Sequence, residues 1–446
     1  MLYIGIDLGT SAVKLLLMDG TGQIKNIVSK EYPLSFPKPG WSEQNPADWF
    51  TGVMDGLLDL LSDFDKSEVA GISFGGQMHG LVMLDENDEV IRPAILWNDG
   101  RTVKECEYLN NVIGKKKLSE YTANIAFAGF TAPKILWVRD NEPENFKRIR
   151  KIMLPKDYIA YRLTGVFSTE PSDASGMLLF DVKNRRWSPE MLEICGITEE
   201  MLPKIYESYE ATGCVKKEIA DKLGLTANVK VGTGTVGGGN CNLSVGTSGT
   251  VFITSDTFCV DDNNALHAFA HADGGYHLMG CMLSAASCNK WWMEDILRTK
   301  EYAKEQETIQ KLGENQVFFL PYLMGERSPH NDPLVRASFM GMSMDTTREE
   351  MTQAVLEGVA FGLRDSLEVA RSLGLSITAS KICGGGAKSP LWKKIIANVL
   401  NLKLEIIESE EGPALGGAIL AAVACGEYAS VREACDAIVK VVDTVE

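Results

Sequence analysis

A short pattern that occurs twice, about half a chain apart, constrains this sequence more than any other feature. Tyr3-Ile4-Gly5-Ile6-Asp7-Leu8-Gly9-Thr10-Ser11-Ala12-Val13-Lys14-Leu15-Leu16-Leu17 reads as an apolar strand, a Gly-Thr-Ser turn and a second apolar strand. Cys241-Asn242-Leu243-Ser244-Val245-Gly246-Thr247-Ser248-Gly249-Thr250-Val251-Phe252-Ile253 repeats that order. In both, β-branched and aliphatic runs bracket glycine and small hydroxyl residues, which is the composition of a tight hairpin. Each tip offers backbone N–H groups and hydroxyls with no bulky side chain in the way, and such a tip can hold a phosphate. A single copy reads most simply as an ordinary hairpin, because short motifs match by chance. Two copies predict two related domains that each lend a hairpin to one ligand.

The 446 residues are too many for one core and fit two α/β domains, taken here as 1–231 and 232–446. A net charge of −16 argues against nucleic acid or an anionic membrane as partner, since both select clustered Lys and Arg. It leaves room for ATP, because a glycine-rich site and Mg²⁺ cancel the field locally. The N-terminus enters a strand directly, without the pattern of a signal peptide, and no apolar run is long enough to span a bilayer. Ten cysteines without metal-like spacing read as buried thiols of a reducing cytoplasm, and five scattered histidines argue against a zinc site. A homodimer is left open.

Taken in order, Asn45 and Pro46 are a cap and first turn for a helix running towards Leu61. Val69 to Phe74 is a buried strand that delivers Gly75-Gly76-Gln77-Met78-His79-Gly80 at its carboxyl end, where α/β sheets bind ligands. Ile95-Leu96-Trp97-Asn98-Asp99 ends in polar groups, and Gly129 to Trp137 reads as a loop leading into a helix. In the second half, a helical pattern from Ser284 carries Trp291 and Trp292 as core. Met351 to Val369 is a long amphipathic helix, and strand Ser380 to Cys383 leads into Gly384-Gly385-Gly386-Ala387-Lys388-Ser389-Pro390-Leu391-Trp392. Gly412 to Ala422 reads as a turn and a tightly packed helix.

The paired hairpins resemble the two-domain actin-like ATPase fold, of ribonuclease H-like type, and within it the FGGY carbohydrate kinases. That resemblance implies an active site in a cleft between domains, with ATP and Mg²⁺ as cofactors and a small-molecule sugar as substrate. Asp7 lies among apolar neighbours two residues before the tip glycine and needs a partner if buried. The FGGY motif carries an Asp there, so the resemblance assigns Asp7 to Mg²⁺. It assigns Gly9, Thr10, Ser11, Gly246, Thr247 and Ser248 to the phosphates. The Gly-Gly-x-x-x-Ser-x-x-Trp segment of the family contacts adenosine and matches Gly384, Gly385, Gly386, Ser389 and Trp392 here. Gln77-Met78-His79-Gly80, Trp97-Asn98-Asp99-Gly100-Arg101 and Gly129-Phe130-Thr131-Ala132-Pro133-Lys134 resemble the xylulokinase branch of the family. This implies sugar contacts from Gln77, Met78, His79, Asn98, Asp99 and Arg101, and phosphorylation of a ketopentose such as D-xylulose. Trp97 and Trp137 read equally well as core and carry no assignment.

One departure stands out. The family's general base is an Asp in a Gly-Gly-Asp-x-Ala-like segment ahead of the second hairpin, and no such segment is here. The chain passes from Val229-Lys230-Val231 straight into Gly232-Thr233-Gly234-Thr235-Val236, so the catalytic base is unknown. The preservation of every other motif favours an interruption in the chain between Val231 and Gly232 over a true deletion, which would leave a sugar and nucleotide binder with little turnover. The resemblance also predicts further helix beyond Glu446. A heat-shock chaperone ATPase is a weaker alternative, because no peptide-binding domain follows.

Overall fold

Both hairpins form, and each lies in the interior of its own sheet. The computed structural model describes residues 1–232, 241–409 and 411–446; the glycine run Gly237-Gly238-Gly239 and the segment from Thr233 to Val236 lie outside the described residues. The chain divides into two compact units, one of Met1–Gly237, Phe269–Gly275 and Glu411–Ile438, the other of Gly238–Ala268, Tyr276–Glu410 and Val439–Glu446.

In the first unit, β1 (Leu2–Leu8) pairs antiparallel with β2 (Ala12–Asp19) and parallel with Val69–Gly76, and β3 (Ile24–Glu31) continues the sheet beyond β2. Central strands of this kind are covered on both faces, which is why β1 is apolar throughout except at Asp7. One cover is α1 (Pro46–Leu60), started by Asn45, whose side chain accepts from Ala47 N at 3.1 Å, with Pro46 in its first turn. Trp49, Val53, Leu57 and Leu60 recur at helical spacing and are fully buried.

The other cover is the helix Gly412–Cys425. It lies so close that a Cβ on Gly5 would run into the Ala414 carbonyl, and one on Gly417 would stand 3.0 Å from Ser73 O. Small residues on both sides are the condition for this contact. Sequence order alone puts this helix in the C-terminal half, whereas its packing places it in the unit built around β1.

Lys230–Val231 lies parallel to Gly71–Ile72, and Gly232 N donates to Ile72 O at 2.9 Å, one step further along the same strand. Val231 and Gly232 are therefore successive rungs of one ladder.

In the second unit the sheet runs Tyr276–Met282, Gly249–Ser255, Cys241–Val245, Ala379–Cys383, Lys403–Ile407, Val441–Val445. Cys241–Val245 is antiparallel to Gly249–Ser255 and parallel to Ala379–Cys383, the arrangement β1 has with its own neighbours. The helix Arg348–Ser372 begins at a capping box of Thr347 and Glu350 and buries Val355, Leu356, Val359, Leu363 and Leu367. The helical pattern from Ser284 becomes a helix at Ala286–Lys290 that widens into a π-turn over Trp291–Ile296. Trp292 is buried and donates to Thr352 Oγ1 at 3.0 Å, while Trp291 is half-buried and stacks on Phe319. No helix among the described residues is long and apolar enough to cross a membrane.

Candidate active site

The first hairpin turns over Gly9-Thr10-Ser11, between the Leu8 and Val13 pair, and four contacts tie it down. Tyr32 Oη donates to Gly9 O, Gln44 Nε2 to Thr10 O at 2.6 Å, Trp97 Nε1 to Thr10 Oγ1 at 3.0 Å, and Tyr32 N to Ser11 O at 3.1 Å. These bonds turn the Gly9, Thr10 and Ser11 carbonyls back into the protein. Asp7 stands across from Lys14 on β2, and Lys14 Nζ pairs with Glu411 at 2.7 Å. Burial pushes the Asp7 carboxyl above its ordinary range; Lys14 pulls it down and Glu411 adds to the rise.

Val69–Gly76 ends beside this turn, with Gln77 N donating to Leu8 O at 2.7 Å. Gln77 is buried, Met78 is exposed, and His79 is buried with a left-handed backbone at φ 63°. That conformation is uncommon outside glycine, and it is held from outside. Thr131 Oγ1 donates to His79 O at 3.0 Å and Lys134 Nζ at 2.8 Å. The imidazole tilts against Phe130 at 4.7 Å between centroids and lies against the bare Cα of Gly176, where any side chain would strike it.

Lys134 lies on the helix Thr131–Asn141, is fully buried, and also donates to Gly129 O at 2.7 Å. Burial pulls its pKa down to about 7, with Asp99 opposing the fall. Behind Gly176, a second buried lysine, Lys156, pairs with Asp157 at 3.0 Å, Glu170 at 3.4 Å and Asp173 at 3.6 Å. Burial pushes Asp173 up to about 7. This cluster anchors the short helix Pro171–Ala174 and the turn that presents Gly176.

Asn98 is exposed, but Asp99 and Arg101 are turned inward. Asp99 accepts from Ser42 N at 2.6 Å, from Arg101 N at 2.9 Å, and from Arg101 Nε and Nη2 at 2.8 and 2.7 Å, which fills the acceptor capacity of a carboxylate. Arg101 also pairs with Glu43 at 2.7 Å and lies over Trp41, 3.7 Å from its centroid. Together they clamp the turn that carries Trp97 and Asn98. Trp137 is buried, edge-on to Trp41.

In the second unit, residues far apart in sequence line one cavity of about 970 Å³, among them Gly246, Thr247, Asn289, Gln306, Gly385, Gly386, Ser389 and Trp392. The size is that of a cofactor site. Ala286 N donates to Gly246 O at 2.7 Å and Ser287 Oγ to Thr247 O at 2.8 Å, so this second tip is braced by its carbonyls as the first one is. Gly384 takes φ 91° and passes so close to Val245 that a Cβ would stand 2.8 Å from its backbone. Gly385 is different: nothing lies within 4 Å of where its Cβ would be, so it faces open space. Ser389 caps the helix Pro390–Leu400, accepting from Trp392 N at 3.1 Å and donating to Gln306 Oε1 at 2.6 Å. Ser248 and Gly384 do not line the cavity.

A carbohydrate-kinase N-terminal domain model of the FGGY family matches residues 2–240, and the family's C-terminal domain model matches residues 241–425. The chain belongs to the FGGY family of carbohydrate kinases. This kinase is 40% identical to the xylulose kinase of Lactococcus lactis, over 98% of its own length and 91% of that protein. It is 38% identical to the xylulose kinase of Escherichia coli, covering 97% and 92% of the two chains. A crystal structure of a xyloylose kinase from Brucella ovis superposes with a TM-score of 0.95 at 39% identity, covering 100% of this chain and 94% of that one. The kinase thus has the actin-like two-domain architecture that its repeated hairpin predicts.

Three residues of this site received no role in the motif reading, although Trp97 and Lys134 lie within quoted motifs. Gln44 reaches Thr10 O, Trp97 reaches Thr10 Oγ1 and Lys134 reaches His79 O across 34, 87 and 55 residues, while Gln44 also meets Pro33 O and Lys134 its neighbour Gly129 O. Lys134 does leave a trace in sequence, as the one cation in the apolar run Ala132-Pro133-Lys134-Ile135-Leu136-Trp137.

Proposed function

We propose that this carbohydrate kinase transfers the γ-phosphoryl group of ATP to a ketopentose, D-xylulose at its terminal hydroxyl, releasing D-xylulose 5-phosphate and ADP. The observation that carries the reading is the gathering of Gly246, Thr247, Gly385, Gly386 and Ser389 around one nucleotide-sized cavity, in a chain whose relatives include xylulose kinases. The second hairpin and the Gly384–Ser389 segment take the nucleotide, with Ser248 at the tip. Gly9, Thr10 and Ser11 take phosphate oxygens. Gln77, Met78, His79 and Asn98 take the sugar, with Asp99 and Arg101 holding their turn in place. In this division the unit built around β1 serves the sugar, phosphates and metal, and the other unit serves the nucleotide.

Asp7 suits a hydrated Mg²⁺: its carboxylate is half-buried and accepts no side-chain hydrogen bond among the described residues. The ion, when bound with ATP, neutralises charge on the transferring phosphoryl group. We place the reaction in the cytoplasm, which suits ten cysteines held as thiols, with a homodimer as the assembly to test.

The general base is open. No Asp or Glu occurs between Asp221 and Asp256, the stretch where the family motif carries one. That observation favours a second reading, a binder of sugar and nucleotide with little turnover, since loss of a general base costs about 10²–10⁴ in rate. A coupled ADP-release assay with D-xylulose, other ketopentoses, glycerol and gluconate, run beside calorimetric sugar titrations, separates the two. ADP formation that depends on D-xylulose supports the kinase. Sugar binding without ADP supports the binder, and neither event with D-xylulose refutes the substrate assignment.

A further inference from the structure

Gln44 sits on a two-residue strand, Glu43–Gln44, paired with Ala94–Ile95, immediately before the cap of α1. Its side chain is buried, and all its hydrogen-bonding capacity is used. The indole N–H of Trp49 reaches it at 3.0 Å, and an indole nitrogen can only donate, so the amide atom facing Trp49 is the oxygen. This settles which way the amide is turned. Gln44 Nε2 then points at two carbonyls, Thr10 O at 2.6 Å and Pro33 O at 3.2 Å. Gln44 Oε1 accepts a second donor, Gln77 Nε2, at 3.0 Å.

The same logic passes to Gln77. With its nitrogen committed to Gln44, the atom left over is its oxygen. Gln77 Oε1 is buried and has no partner among the described residues, at the carboxyl end of the strand whose Gly75 pairs with Asp7. A buried acceptor without a donor is costly, and a ligand hydroxyl or a water is what relieves it.

We infer that Gln44 is a positioning residue that holds the first phosphate-binding turn through Thr10 O while turning the Gln77 amide so that its oxygen receives a hydroxyl of the acceptor sugar. Trp49 sets the chain of orientations without approaching either substrate. The inference rests on the kinase reading given above, in which Thr10 serves phosphate and Gln77 serves sugar. A purely structural Gln44, one that only fastens the hairpin to α1, would affect melting and leave substrate handling alone.

The test uses the full chain and three single variants. Gln44→Met removes both functions, Gln77→Met removes the sugar-facing oxygen, and Gln44→Glu keeps an acceptor for Trp49 and Gln77 but loses both donors to Thr10 O and Pro33 O. Sugar affinity is read by calorimetry with D-xylulose, and kcat and KM by ADP release. Gln77→Met is expected to weaken sugar affinity about tenfold, Gln44→Met to weaken it about tenfold and lower kcat, and Gln44→Glu to lower kcat with sugar affinity within about twofold of wild type. Because one residue acts through the other, the Gln44→Met, Gln77→Met double variant is expected to weaken sugar affinity by about 10- to 20-fold and not by the product of about 100. Multiplicative losses, or a folded Gln44→Met protein with wild-type affinity and kcat, overturn the inference while leaving the kinase reading intact. A wild-type chain that neither binds nor phosphorylates D-xylulose overturns both.

Discussion

The indole N–H of Trp97 donates to the hydroxyl of Thr10 at 3.0 Å, across 87 residues of sequence. Since the indole only donates, it occupies an acceptor position on Thr10 Oγ1 and leaves the hydroxyl proton available to point elsewhere. For a turn proposed to meet phosphate, this orients a donor before the ligand arrives.

Replacing Trp97 with Phe keeps the ring and removes the donor. The expected outcome is a loss of about fivefold in kcat/KM for ATP, the worth of about 1 kcal/mol for one hydrogen bond. Trp97 is 41% exposed, so the melting temperature is expected to stay close to wild type. Steady-state kinetics with varied ATP, together with a thermal melt, checks both halves.

Gly385 offers a way to fill the cavity proposed for the nucleotide without disturbing its walls. Its Cβ position is open for 4 Å, whereas at Gly386 a Cβ would stand 3.0 Å from the Trp392 ring. Gly385→Val is expected to weaken ADP binding at least about tenfold at nearly unchanged stability. Gly386→Val is expected to lose stability by about 2 kcal/mol, as overpacking does. Calorimetric ADP titration and urea unfolding distinguish the two positions.

Lys134 makes stability depend on pH in a stated direction. Its pKa falls from 10.5 in the unfolded chain to about 7 in the fold, so between those values the unfolded chain carries the extra proton. Stability contributed at this site therefore rises as pH increases from about 7 towards 10.5, and is flat below that window, where both states are protonated. Lys134→Met removes the term. The difference in melting temperature between wild type and variant is expected to shift in favour of wild type as pH goes from 7 to 9.5, and a constant difference would count against it.

Gly5 tests the close approach of the helix Gly412–Cys425 to β1. Gly5→Ala sets a methyl against the Ala414 carbonyl and is expected to cost about 3 kcal/mol. Denaturant unfolding measures the loss, and hydrogen exchange at Ile4, Ile6 and Leu8 is expected to quicken with it.

What could be read directly in the amino acids was whatever the local chain decides by itself. The two Gly-Thr-Ser turns, the Asn45 cap and the Ser389 cap all rest on residues within a few positions of one another. The Gly384–Trp392 segment carried its own signal for the same reason. The clamp formed by Asp99, Arg101 and Glu43 did not, because whether a carboxylate faces a ligand or a guanidinium depends on what a distant strand brings to it. The roles of Gln44 and Trp97 were hidden likewise: each meets Thr10 only after the sheet has formed. The place of the Gly412–Cys425 helix was illegible because position along a chain says little about position in space.

The unit built around β1 draws on three separate stretches of chain, the last of them Glu411–Ile438. A ribosome releases β1 long before the helix Gly412–Cys425 that covers it. Until that helix emerges, one face of the newborn sheet stays bare. Fragments that stop before Glu411 are therefore expected to be sticky and short-lived, because the stretch that closes this core is missing from them.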